Sequence, residues 1–194
     1  DTLSLHDALP ILMLIDPQTC DVRGMSIASG AYTGTYVCLS LMPQSALALC
    51  EFVCDVAGPA ELQVDPETSS LHVTSMYSKS VVDLKELLSN MLPSSFTAQV
   101  TKFEVFGKNT DPKVYVVASL DSPGAVQFHQ DLKGMLEWTS EHGYNPHVTV
   151  MKFRKGEASP EDIADWVQSA NNLLQAKPLE LTLSMPYVFP MLGK

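Results

Sequence analysis

Leu71-His72-Val73-Thr74-Ser75-Met76-Tyr77 and His147-Val148-Thr149-Val150-Met151-Lys152-Phe153 are the two stretches on which the reading of this chain turns. Both are short, apolar and β-branched, the pattern of buried strands. Residues i and i+2 of a strand share a face, so His72 and Thr74 point one way while Val73 points the other. His147 and Thr149 repeat this arrangement, with Val148 opposite. The chain holds five His, and its composition gives about 0.3 His-x-Thr tripeptides by chance, so two at matching places carry information.

The sequence around them matches too. The first copy reads Tyr36-Val37-x-x-Ser40-Leu41, then Pro43, a helical stretch, and His72-Val73-Thr74. The second reads Tyr115-Val116-x-x-Ser119-Leu120, then Pro123, a helical stretch, and His147-Val148-Thr149. Strand–helix–strand occurring twice implies two similar lobes related by a pseudo-two-fold axis, with both His/Thr pairs facing one cleft. Two imidazoles and two hydroxyls around one anion suit phosphoryl transfer without a metal. One neutral His takes a proton, one protonated His gives one, and the Thr hydroxyls hold the non-bridging oxygens.

Working outward, strands are expected at Thr35 to Met42, Leu71 to Tyr77, Phe96 to Phe106, Lys113 to Leu120, Pro146 to Phe153 and Leu179 to Met185. Helices are expected from Pro43 to about Ala57, Val81 to Leu92, Pro123 to Ser140 and Ser159 to about Gln175. Ser159 is the expected N-cap of the last, with Pro160 at N1. The apolar run from Ala8 to Ile15 is too short to span a bilayer as a helix, which takes about 20 residues, and it lacks a signal peptide's charged start. The opening DTLSLHDALPI is similar to translated sequencing-adapter sequence. Residues 1–33 are therefore expected to be a lead-in, with 1–12 non-native, ahead of a single bilobal domain over 34–194.

With 12 Lys and Arg against 22 Asp and Glu, the net charge of -10 argues against long DNA or RNA, whose binding rests on many cationic contacts to phosphate. A small phosphate ligand in one cleft is compatible with it. The four cysteines, Cys20, Cys38, Cys50 and Cys54, form no CxxC pair and read as reduced thiols. Cys50 and Cys54 fall four apart on one helix, expected to pack rather than to bind metal. Trp138 and Trp166 read as helix packing residues. His129 and His142 have no partners at metal-ligand spacing, and no metal or other cofactor is expected.

These motifs resemble the two-histidine (2H) phosphoesterases, whose mark is a pair of H-x-[ST] motifs in an internally duplicated fold. The likeness runs from about Gly34 to Met185. Within that superfamily the chain is most similar to the phage anti-CBASS cyclic-nucleotide phosphodiesterases. Gly34-Thr35-Tyr36-Val37, Leu71-His72-Val73-Thr74 into Met76-Tyr77-Ser78-Lys79, and Tyr144-x-Pro146-His147-Val148-Thr149 carry that likeness.

The resemblance implies an α+β, bilobal fold, with two antiparallel sheets lining a central cleft and helices outside. It implies metal-independent hydrolysis of cyclic di- or trinucleotide immune signals, in the cytoplasm of an infected bacterial host. His72 and His147 would be the acid/base pair, and Thr74 and Thr149 the phosphate ligands. Tyr36 would be a cleft residue. Read from its own place just after the first motif strand, Lys79 is either a source of charge for a phosphate or a solvated loop residue. The family tends to stack a Trp on a base; here Phe106 is the nearest candidate and Phe103 a weaker one. It also tends to place an acidic residue late in the chain, where this sequence reads Met185-Pro186-Tyr187 with Glu180 nearby. Two other functions fit the same motifs: a 2H enzyme acting on RNA 2′,3′-cyclic phosphates or 2′-5′ linkages, and a protein that sequesters nucleotides without cutting them.

Overall fold

A computed structural model of the protein describes residues 32–57, 71–79, 95–107, 113–137, 143–154 and 156–192. The expected lead-in up to residue 31, the expected helix at Val81 to Leu92, Trp138, His142 and Cys20 lie outside the described residues.

Six strands and three helices are described: β1 (Tyr32–Leu41), α1 (Pro43–Asp55), β2 (His72–Ser78), β3 (Phe96–Phe106), β4 (Lys113–Asp121), α2 (Pro123–Lys133), β5 (His147–Arg154), α3 (Pro160–Ala176) and β6 (Glu180–Leu192). The strands are antiparallel and follow one another around a closed ring in the order β1-β2-β5-β4-β3-β6. The fold is α+β, as the sequence implies, with one correction. The two expected sheets, β6-β1-β2 and β3-β4-β5, are hydrogen-bonded to each other. They meet at two short seams: a single pair, Val73↔Val148, and the run Phe96↔Leu183 to Gln99↔Glu180.

The duplication is written into the register. In the first lobe Ser40, Leu39 and Cys38 lie opposite His72, Val73 and Thr74; the ladder then skips Ser75 and resumes at Val37↔Met76. In the second, Ser119, Ala118 and Val117 lie opposite His147, Val148 and Thr149; the ladder skips Val150 and resumes at Val116↔Met151. Each lobe thus carries a bulge at the residue after its His-x-Thr, which bends the strand and re-aims the side chains around it. The swap of partners is equally symmetric: β6 pairs with β1 and β3 with β4.

Three element ends differ from the sequence reading by more than two residues. α2 stops at Lys133 because the chain tightens at Gly134, whose N–H bonds Asp131 O at 3.1 Å, so Gly134 ends the helix it was expected to sit inside. β6 runs on past the expected end at Met185, through Pro186 and Pro190, to Leu192. β3 pairs only its Glu180–Leu183 stretch, and beyond it β6 is bonded to β1 alone among the described strands. A proline lacking an N–H is tolerated on such an edge. β1 starts at Tyr32, ahead of the expected Thr35. Gly34 is required there: a Cβ at that position would lie 2.3 Å from the Ser78 carbonyl oxygen.

The core lies between the ring and its helices. Val73 and Val148 at the seam are fully buried on its inner side, and Phe52, Phe103 and Trp166 are its largest members. Trp166 is therefore the packing residue expected, and Phe103 belongs to the core, which removes it as a base platform. Cys50 is buried as expected, but Cys54 is exposed, because α1 turns that position to solvent.

Candidate active site

Val73 and Val148 occupy equivalent places in the two copies and lie opposite each other, so the pseudo-two-fold axis passes between them. Their side chains fill the core. The next residue on each side of them points the other way. An antiparallel register continued by one residue sets His72 beside Thr149 and Thr74 beside His147. All four are half-buried, on the face away from the core. The structure therefore brings His72, Thr74, His147 and Thr149 together at the seam where the lobes meet.

Each pair has its own surroundings. In the first lobe, Tyr36 reaches from β1 to place its Oη 3.0 Å from His72 Nε2 and 2.6 Å from Thr74 Oγ1. Its ring meets the His72 ring edge-on, with centroids 6.2 Å apart. Burial chiefly, helped by neighbouring Cys38, pushes the Tyr36 phenol well above its ordinary value; the Thr74 hydrogen bond only partly opposes this. Tyr36 stays protonated at any working pH. Cys38 is itself pushed up to about 12 by burial, so it is a thiol rather than a nucleophilic thiolate.

In the second lobe, His147 donates from Nδ1 to the Asn145 carbonyl at 2.8 Å. A carbonyl can only accept, so in the neutral ring the lone pair is at Nε2. The Phe106 ring lies against His147, with centroids 4.8 Å apart and planes tilted by 59°. Phe106 is thus at the site. Lys79 is not brought to it: it lies exposed past the far end of β2, five residues beyond Thr74, or roughly 17 Å along an extended strand.

The sequence reading missed Glu104. Its carboxylate accepts from Ser119 Oγ at 2.5 Å and meets Lys102 Nζ at 2.9 Å. Partial burial pushes its pKa up, but the bonds from Ser119 and Lys102, the Lys102 charge and that of His147 together hold it below the usual range. The signal was available: Lys102, Glu104 and Phe106 alternate along β3, so a Phe106 facing the site brings Glu104 to the same face. Register also sets Tyr187 opposite Cys38 just as Glu104 lies opposite Val117, so Glu104 holds on β3 the place that Tyr187 holds on β6. Glu180, the acidic residue weighed from sequence, instead accepts from Gln99 at the seam of β3 and β6.

His129 supports the site from behind. It is 2% exposed on α2, donates from Nδ1 to Ser75 O at 2.6 Å, and stacks on Tyr144 with centroids 4.0 Å apart. Ser75 is the bulge residue, so α2 pins the bend that follows Thr74. Burial holds the His129 pKa below its ordinary 6.5, the Ser75 bond opposes this, and Lys133 adds a smaller downward push. The unfolded chain therefore binds this proton more readily than the folded one. The stabilisation is complete above the ordinary imidazole value and is lost as pH falls through the depressed folded value. Urea midpoints should drop on acidification from about pH 7.5 to 5, and His129→Gln should flatten that slope; an equally steep slope in the variant would assign it elsewhere.

Among the described residues no three His, Cys, Asp or Glu side chains gather in a way that could hold a metal ion, and no helix is long and apolar enough to cross a membrane. The family model described as "Anti-CBASS protein Acb1" matches residues 33–173. No curated protein matches the sequence significantly. Among solved structures, the chain is similar to TT0787 of Thermus thermophilus, with 14% identity, a TM-score of 0.49, and coverage of 80% of this chain and 84% of that one. It is also similar to Usb1 of Kluyveromyces marxianus, with 11% identity, a TM-score of 0.44, and coverage of 82% and 99%. A structure described only as a phosphoesterase shares 14% identity at a TM-score of 0.45, covering 66% and 76%.

Proposed function

The chain belongs to the anti-CBASS Acb1 family, and from that premise we propose that it is a phosphodiesterase that opens cyclic di- or trinucleotide immune signals, using two histidines and no metal. Family membership supports the phosphodiesterase-like role. The observation that carries the chemistry is the Val73↔Val148 pair, whose position on the pseudo-two-fold axis gathers both His/Thr pairs on one face.

A ribose 2′-hydroxyl attacks the adjacent phosphodiester. One imidazole removes its proton, the other protonates the leaving oxygen, and the Thr74 and Thr149 hydroxyls hold the non-bridging oxygens. Phe106 offers a π-face to a base beside His147, where stacking contributes about 1–3 kcal/mol in comparable sites. The host cytoplasm, where such signals are made, is where the protein would act.

Incubation with a panel of cyclic di- and trinucleotides in EDTA, followed by chromatography, tests the reading. Cleavage is expected in EDTA, with a rate that falls on both sides of a pH maximum because one imidazole must be neutral and the other protonated. Activity that vanishes in EDTA and returns with a divalent ion would refute the metal-free chemistry. Cleavage confined to RNA 2′,3′-cyclic phosphates or 2′-5′ linkages would move the protein to another 2H activity, and tight binding without products would make it a sequestering protein.

A further inference from the structure

α2 follows β4 and leads toward β5, so by sequence it belongs to the second copy. Its His129 nevertheless bonds the first. Nδ1 donates to the carbonyl of Ser75, the residue that drops out of the β1–β2 ladder right after His72-Val73-Thr74. The same imidazole stacks on Tyr144, with planes 11° apart and centroids 4.0 Å apart. Tyr144 lies three residues ahead of His147, in a stretch outside any strand. Asn145 comes next, and its carbonyl accepts the His147 Nδ1 hydrogen at 2.8 Å; the Pro146 carbonyl accepts from Leu120 N at 2.9 Å. One buried side chain thus touches the exit of one His-x-Thr motif and the approach to the other.

The duplication shows that packing alone does not call for a histidine here. Counted from Pro43 and Pro123, His129 of α2 corresponds to Leu49 of α1; counted from His72 and His147, Ser75 corresponds to Val150. Leu49 and Val150 are buried members of the core, so an apolar pair serves the equivalent places. A polar pair is buried cheaply only when it is hydrogen-bonded, and that bond fixes a distance and an angle. Burial pushes the Tyr144 phenol up to about 12, and the fully buried Ser75 hydroxyl is the neighbour that opposes the rise, so Tyr144 also converges on the bulge. The ladder between the two motif strands is itself a single described pair, Val73↔Val148.

We propose that His129 and Tyr144 are positioning residues that set the spacing between the two His/Thr pairs, by holding the bulge after Thr74 and the approach to His147 against each other. This rests on the two-histidine phosphodiesterase reading. Chemistry at one phosphorus needs both imidazoles and both hydroxyls in place together, and a misplacement near 1 Å costs about 10²-fold in rate. At 2% exposure, His129 acts only through the strands it holds.

Steady-state kinetics on a cyclic dinucleotide, with thermal melts, test this on His129→Leu, His129→Asn and Tyr144→Leu. His129→Leu installs the residue of the other copy and removes both donor and ring; it should lower kcat by about 10- to 100-fold, with KM within about threefold of wild type. His129→Asn keeps an N–H at the Nδ1 place and should recover much of that loss. Tyr144→Leu, changed outside the sheet, should lose kcat as His129→Leu does, and it carries the test should that variant not fold. Trp166→Ala, a large core loss away from this tie, bounds what instability alone does to the rate. Imidazole ¹H–¹³C spectra, with the His72 and His147 signals assigned through their alanine variants, read the tie without turnover: both signals should move in His129→Leu and in Tyr144→Leu. Lowered melts with both signals and kcat per folded molecule unchanged would overturn the proposal and leave His129 a packing residue. A loss confined to KM would overturn it too, because the two side chains would then shape the nucleotide pocket. A wild type that cleaves no phosphodiester would instead remove the phosphodiesterase reading, and the spectra would still decide the tie.

Discussion

Alanine in place of either His72 or His147 should lower turnover of a cyclic dinucleotide by about 10²- to 10⁴-fold, roughly 3–5 kcal/mol of transition-state stabilisation. The fold should survive both changes. The two side chains are half-buried on the face opposite Val73 and Val148, so their removal opens no cavity in the core. The double variant should be scarcely slower than the worse single one, because a base without its acid, or an acid without its base, has already lost the concerted path. Single-turnover rates and thermal melts on the three proteins check this. Losses that simply multiply would mean that the histidines act in separate steps, and a collapsed melt would mean that they hold the seam rather than the substrate.

What the sequence made legible follows from which signals are local. The His-x-Thr strands, the Tyr-x-x-x-Ser strands and the N-cap at Ser159 are short-range patterns. The structure repeats them with the same offsets, down to the bulges at Ser75 and Val150. The single ring was not legible, because the seams that close it rest on pairings between residues far apart in the chain, Val73 with Val148 and Gln99 with Glu180. Nor was Glu104. Its contribution depends on Ser119, which reads as an ordinary strand serine until the β3–β4 register brings the two together. The sequence reading ends β6 at Met185, short of Leu192; the strand continues through two prolines because beyond Leu183 it is paired with β1 and not with β3, which only the long-range register shows. Lys79 was over-read for the opposite reason: a basic residue near a motif in sequence is carried away from it by an extended strand.

Trp166→Ala should cost about 3–5 kcal/mol of stability, a large part of the roughly 5–15 kcal/mol that a domain has to lose. Trp166 is 2% exposed and meets Phe103 edge-to-face, with centroids 5.7 Å apart; Phe103 in turn stacks on Phe52 at 5.4 Å. These three rings tie α3 and α1 to β3, and aromatic pairs add about 0.5–1.5 kcal/mol beyond their buried area. Polar contacts reinforce the tie. At Phe103 the outer side of β3 has run past the end of its ladder with β6, and Asn171 of α3 supplies the missing partner. It accepts from Phe103 N at 2.8 Å and donates to Phe103 O at 2.9 Å. Asn171→Ala should leave that N–H and carbonyl unsatisfied, at about 1–3 kcal/mol. Because β3 next presents Glu104 and Phe106 to the site, α3 acts on catalysis only through the placement of that strand. In Trp166→Ala, urea unfolding should shift by the full stability loss, while kcat/KM per folded molecule falls less than about tenfold. A shift below about 1 kcal/mol would mean that the core repacks around the gap and that the three rings do not bear on the position of β3.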